Sequence, residues 1–194
     1  TLQDKGVLAN CHVNVLQTQD HPQFKTYSEE LKWLTTDATR MSWVAKTIKD
    51  IATSGNTLIL VDRISAGEML EKKIKDSVFV SGSTKNMDRK EQYDEISTAT
   101  NKVIIATYGV AAVGINIPRI FNLVLIEPGK SFVRVIQSIG RGIRKAEDKD
   151  SVQIWDITSS CKFAKRHLGA RKKFYKEANY PYNIEKINYE NPYT

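Results

Sequence analysis

The sequence predicts an α/β domain, a parallel β-sheet sandwiched by helices. Two observations carry this prediction. From residue 57 onward, short β-rich runs alternate with helical stretches, the pattern of a parallel sheet covered on its faces. The 194 residues, 41% hydrophobic and 26% charged, have ordinary globular composition and suffice for one domain of about 100 to 150 residues with flanking structure.

Residues 7–16 alternate, with Val7, Ala9, Cys11, Val13 and Val15 on one face and Asn10, His12 and Asn14 on the other, and predict an exposed or edge strand. Between residues 27 and 54, Leu31, Leu34, Met41, Val44, Ala45, Ile48 and Ile51 recur at helical spacing and predict two helices, with Asp37 capping the second. Beyond Ser54-Gly55-Asn56 the predicted strands are 57–61, 77–80, 102–106, 120–126 and 152–157. Helices are predicted between them at 66–75, 85–98 and 132–141. The chain thus divides into flanking elements at 1–55, the α/β domain at 56–158, and a basic helix with a tail at 159–194. The tail from Tyr180, polar and carrying Pro181 and Pro192, is expected along the surface. A sheet of this kind places ligands at the loops beyond the carboxyl ends of its strands.

Twenty-nine Lys and Arg against 22 Asp and Glu leave a net charge of +7, which favours a polyanionic partner. Cys11 and Cys161 lie far apart with no C-x-x-C spacing, so no metal site and no disulfide scaffold is expected, and a reducing cytoplasmic setting fits. The longest apolar runs fall well short of the roughly 20 residues of a membrane span, and no segment has the order of a signal peptide. The opening Thr1, without Met, leads us to expect a segment of a longer polypeptide.

The residues that bear on chemistry gather in the second half. Gln137-Ser138-Ile139-Gly140-Arg141-Gly142-Ile143-Arg144 sets two guanidinium groups three residues apart, on one face of a last helical turn, where both can address one anion. A planar fork that stays charged and binds phosphate oxygens in pairs suits a transferred phosphoryl group. The same residues also read as a basic helix end that complements the macrodipole. Ser81, Gly82, Ser83 and Thr84 offer short hydroxyl and backbone donors for phosphate oxygens, or form a plain turn. Glu127-Pro128-Gly129-Lys130-Ser131 opens a helix after a strand but lacks the earlier glycine of a P-loop, Val124 standing at that position. No G-x-x-x-x-G-K-[ST] occurs, nor an Asp-Glu pair of a magnesium-binding strand. Within residues 161–177, Lys162, Lys165, Arg166, Lys172, Lys173 and Lys176 form one helical stripe, with Phe163, Leu168, Ala170, Phe174 and Ala178 largely on other sides. Such a face meets solvent or nucleic-acid phosphates.

Gln137, Gly140, Arg141 and Arg144 resemble the sixth motif of superfamily-two helicases. The run Ala106-Thr107-Tyr108-Gly109-Val110-Ala111-Ala112-Val113-Gly114-Ile115-Asn116-Ile117-Pro118 resembles the fifth, in the expected order. Residues 58–64 resemble the fourth, and the match spans roughly 57–156. The resemblance implies a RecA-like fold without its P-loop, the second motor domain of an ATP-dependent DNA helicase. It implies Arg141 and Arg144 as catalytic arginine fingers, with Gln137, Gly114 and Asn116 beside the nucleotide; the family often has Asp where Asn116 stands. Nucleic-acid backbone would be met by Thr107, by Ser81 to Thr84 with Arg89, and by Lys172 and Lys173. ATP with Mg²⁺ would sit primarily on a preceding RecA-like domain of the same polypeptide, so that the fragment alone is not expected to hydrolyse ATP. With the basic helix included, the likeness reaches phage recombination and repair helicases, implying branched DNA or RNA–DNA hybrids as substrates, a monomer, and the host cytoplasm. Two rival readings remain: a non-catalytic nucleic-acid or protein-binding module of helicase-like fold, and a small nucleotide-binding enzyme using Gly129 to Ser131.

Overall fold

The strand at 122–126, apolar from Leu123 onward, buries all five of its residues and lies at the centre of a seven-stranded sheet. Burial on both faces requires apolar side chains at successive positions, as in interior strands of parallel sheets. The computed structural model describes residues 11–80, 101–113, 120–129, 132–143 and 152–190. Its elements in order are β1 (Cys11–Thr18), α1 (Tyr27–Thr36), α2 (Ala38–Ala52), β2 (Thr57–Val61), α3 (Ile64–Lys73), β3 (Val78–Val80) and β4 (Val103–Thr107). There follow α4 (Tyr108–Ala112), β5 (Asn122–Ile126), α5 (Phe132–Ile143), β6 (Val152–Ser159), α6 (Lys162–Glu177) and β7 (Tyr182–Ile187). The strand order is β3-β4-β2-β5-β6-β1-β7, and every described pairing is parallel. The helix predicted at 85–98 lies outside the described residues. None of the described helices is long and apolar enough to cross a membrane.

Two apolar layers hold the helices to the sheet. On one face Leu58, Leu60, Leu123 and Leu125 meet α4, α5 and α6 through Val110, Val135, Ile136, Ile139 and Leu168. On the other, Ile59, Val61, Val124 and Ile126 meet α2 and α3 through Val44, Ile48, Ala66 and Leu70. Alternation along each strand sends neighbouring residues to opposite layers. Asp37 caps α2 as expected, its carboxylate accepting from the Arg40 backbone N–H at 3.0 Å.

At the chain ends the structure departs from the sequence prediction. The strand at 7–16, expected at an edge, is described from Cys11 and runs on to Thr18, lying between β6 and β7. Its polar side chains look outward-facing in sequence but find partners on adjacent strands. Asn14 donates to Gln153 Oε1 at 3.1 Å, and His12 lies 2.7 Å from Asn183 Oδ1. The tail expected along the surface supplies β7, in register Val13↔Tyr182 to Thr18↔Ile187. Four of its six residues are exposed, so its polar composition suits an edge strand as well as a tail.

The carboxyl ends of β1, β5 and β6 converge on Arg40, which is wholly buried. Its Nη1 donates to the Leu34 carbonyl at 2.6 Å, its Nη2 to Glu127 Oε1 at 2.6 Å and to the Thr158 carbonyl at 3.2 Å, and its Nε to Thr18 Oγ1 at 3.1 Å. Asp20 Oδ2 lies 3.6 Å from the same Nε and accepts from Thr18 and Ser159, each at 2.6 Å. Glu127 has a φ of 46°, a left-handed conformation that costs a non-glycine residue on the order of 1 kcal/mol or more. Burial pushes its carboxyl up to about 7, against the pull of Arg40 and Arg171.

Replacing Arg40 by Met, of similar length but uncharged, leaves Glu127 and Asp20 buried without their cation. The expected loss is about 3–5 kcal/mol, read from the urea midpoint, whereas a loss below about 1 kcal/mol would show that the carboxylates are satisfied without it.

Candidate functional site

All strands run the same way, so the segments following β2, β4, β5 and β6 emerge along one edge of the sheet. Thr107 closes β4 and caps α4: its Oγ1 accepts from the Val110 N–H at 3.2 Å. The Thr107 hydroxyl can donate as well as accept, and the side chain is half-buried at this edge. The next residue, Tyr108, is buried and donates to the Ile126 carbonyl at 2.9 Å, tying the start of α4 to the end of β5. Burial, with Asp156 adding, holds that hydroxyl well above its ordinary pKa, as a donor.

The far end of α4 is tied to α5. Ser138 Oγ donates to the Ala112 carbonyl at 3.0 Å. Gln137, beside it, is half-buried. Residue 141 follows four positions later in the same continuous helix, which ends at Ile143. Arg144, Gly114, Asn116, Ser81, Gly82, Ser83, Thr84 and Arg89 lie outside the described residues. The structure therefore joins Thr107 and Gln137 through α4 and α5.

The first residues of the loop after β5 offer no free backbone donor before Gly129. The Glu127 N–H is committed to the Ile157 carbonyl at 2.9 Å, Pro128 has no N–H, and the Glu127 carboxylate points inward to Arg40. Lys130 and Ser131, which the rival nucleotide-loop reading needs, lie outside the described residues. Among the described residues no group of three or more His, Cys, Asp or Glu could hold a metal ion.

On α6, Lys162, Lys165, Arg166, Lys173 and Lys176 are exposed and Lys172 is half-buried, so the predicted stripe is a real face. Ala170, predicted among the docking residues, is exposed as well. Leu168, Phe174 and Ala178 are buried as predicted, and they are joined in docking by a residue that charge counting passes over. Arg171 is buried, donating from Nε to Asp156 Oδ2 at 2.8 Å, from Nη2 to Asp156 Oδ1 at 2.9 Å and from Nη1 to the Pro128 carbonyl at 2.8 Å. Tyr175 donates to the same carboxylate at 2.7 Å. Burial works against the charged guanidinium, but Asp156 outweighs it and holds Arg171 above its ordinary pKa. Its helical phase with buried Leu168 and Tyr175 is the signal that could have revealed it.

The first turn of α6 has no side-chain cap of its own. Glu30 of α1, also buried, takes that role, accepting from the Phe163 N–H at 2.9 Å and the Ala164 N–H at 2.8 Å. A carboxylate thus already fills the anion position at this helix start.

Between α1, the strand edge and α6 opens a cleft of about 810 Å³. Tyr108, Asp62 and Gly129 line it from the sheet side, Tyr27 from α1, and Phe163, Arg166 and His167 from α6. A Cβ on Gly129 would come within 3.1 Å of the Tyr27 hydroxyl oxygen.

The helicase conserved C-terminal domain family matches residues 39–146. Among curated proteins, the ATP-dependent DNA helicase uvsW of Enterobacteria phage T4 is 30% identical over 155 residues, which is 77% of this chain and 31% of that protein. Putative helicase 22 of a Sulfolobus islandicus filamentous virus is 31% identical over 104 residues, 52% of this chain and 18% of that protein. The chain thus spans about a third or less of the length of these relatives. Among solved structures, T4 UvsW matches with a TM-score of 0.80 at 22% identity, over 92% of this chain and 42% of that one. The C-terminal domain of the DEAD-box protein Dbp5 matches with a TM-score of 0.60 at 19% identity, over 94% and 92%. The parallel sheet with its two helical layers is accordingly that of a RecA-like helicase C-terminal domain.

Thr107→Val keeps the shape of the side chain but removes the cap of α4. Its expected cost is about 1 kcal/mol in urea denaturation, with recovery in Thr107→Ser. An unshifted midpoint in the Val variant would remove the capping role.

Proposed function

We propose, from the premise that this chain belongs to the helicase conserved C-terminal domain family, that it completes an ATP site shared with a preceding RecA-like domain of the same polypeptide and moves along a DNA backbone. Arg141 and Arg144 are the residues that reach across the interface to the nucleotide phosphates, where their guanidinium groups stabilise the charge that develops on transfer. Gln137, Gly114 and Asn116 line the nucleotide edge of this half-site. The phosphates and magnesium have their primary ligands on the preceding domain, since no P-loop occurs here and no metal-binding group is found among the described residues.

The observation that carries this reading is the bond from Ser138 to the Ala112 carbonyl. It links the helix bearing position 141 to the short helix that Thr107 caps, so a shift of α5 on nucleotide binding is transmitted to Thr107 at the nucleic-acid edge. Thr107 donates its hydroxyl proton to a backbone phosphate, Ser81 to Thr84 add short donors, and the α6 face with Lys172 and Lys173 supplies diffuse positive charge. Contacts of this kind hold phosphates without reading base sequence. The likeness to the ATP-dependent DNA helicase uvsW supports DNA as the strand that is bound, and branched DNA or RNA–DNA hybrids are the substrates proposed for the intact protein.

In the intact protein, Arg141→Ala is expected to reduce DNA-stimulated ATP turnover on the order of 10³-fold. Near-normal turnover would end the arginine-finger assignment. The double change Lys172→Glu and Lys173→Glu is expected to weaken DNA binding and to lower the slope of log affinity against log salt by about one for each phosphate no longer neutralised. Unchanged affinity and slope would reduce the α6 face to a solvated surface.

A further inference from the structure

The proposed DNA contacts are all to phosphates, yet the cleft beside them is walled by aromatic rings. The rings of Tyr27 and Phe163 have centroids 6.3 Å apart at 63°, and those of Tyr27 and His167 are 4.7 Å apart at 43°. Arg166 Cζ stands 5.5 Å from the Phe163 centroid. The backbone of Phe163 is anchored by the buried carboxylate of Glu30, which accepts from its N–H at 2.9 Å. Gly129 leaves room for the Tyr27 hydroxyl, which a Cβ would approach to 3.1 Å. At about 810 Å³ the cleft lies within the range of roughly 300–1,000 Å³ typical of small-ligand sites, ample for a nucleobase and its sugar.

We propose that this cleft seats one unstacked base of the bound strand while the basic face of α6 holds the adjoining phosphates. The inference rests on the nucleic-acid reading above and adds a base contact to it. Three features select this occupant. Aromatic and guanidinium groups stack on any base without regard to its identity, as single-strand binding requires. Arg166 belongs both to the cleft wall and to the exposed cationic stripe, so backbone and base sites are continuous. Asp62 in the lining opposes a buried phosphate but accepts from the N–H groups on a base edge. Seating a base here would peel it from its neighbours beside Thr107, where the strand is already held.

The test uses the intact polypeptide and single-stranded oligodeoxynucleotides carrying an abasic site or a 2-aminopurine at successive positions. The expected result is one position at which base removal weakens binding on the order of tenfold and at which 2-aminopurine fluorescence is quenched. Phe163→Leu, which keeps an apolar side chain, is expected to abolish that positional penalty and the quench. A flat abasic scan with uniform fluorescence overturns the base site, and if Lys172→Glu with Lys173→Glu still weakens the same oligonucleotides, backbone binding stands without it. Binding of adenosine monophosphate at least as tight as that of the oligonucleotide overturns the strand assignment in favour of a free-nucleotide pocket. Failure of every oligonucleotide to bind overturns the nucleic-acid reading itself, and this inference with it.

Discussion

A guanidinium group enters a protein interior only where acceptors and counter-charges meet it on several sides, and here two such groups organise the carboxyl edge of the sheet. Arg40 draws together the ends of β1, β5 and β6 and the last turn of α1, through Thr18, Glu127, Thr158 and Leu34. Arg171 binds α6 to β6 through Asp156 and to the loop after β5 through the Pro128 carbonyl. Both therefore grip the stretch from Glu127 to Pro128. That grip explains why Glu127 keeps a left-handed backbone: its carboxylate is held from two sides, by Arg40 and Thr158. Burial, with Asp156 adding, raises the Glu127 pKa against the pull of Arg40 and Arg171.

The loop so fixed is one side of the cleft, and the other sides come from α1, about a hundred residues earlier in the chain, and from α6, some 35 residues later. Glu30 sets the first turn of α6 and with it the Phe163 ring, and Tyr27 packs against His167 from the same helix α1. Across the edge, Tyr108 and Ser138 bind α4 to β5 and to α5. Structural polar contacts and the residues of the motor reading are thus neighbours in one framework.

Much of this was legible beforehand where a pattern repeats locally. The strand 57–61 is found at the predicted bounds, Asp37 caps α2, and the cationic stripe of α6 is exposed. The chain ends were misjudged because burial of a strand is decided by its neighbours: β1 alternates like an edge strand yet lies inside the sheet, its polar face satisfied by Gln153 and Asn183. Residues 182–187 read as a polar tail because an exposed edge strand needs few apolar side chains. Arg40, Arg171 and Glu30 look like ordinary surface charges in a one-dimensional list, although Arg171 shares its helical phase with buried residues.

By itself the sequence determined the α/β class, most element positions, the absence of a P-loop from the chain, and the family to which motifs around Thr107 and Arg141 assign it. Those features depend on residue type and short spacing, which helix and strand periodicity translate directly. Tertiary structure alone decided which charges lie inside, which carboxylate caps α6, and how Tyr27, Phe163 and Gly129 come to share one cleft. Such pairings join residues such as Glu30 and Phe163, 133 apart, and a contact across that separation follows from sheet order and packing, which no local pattern encodes.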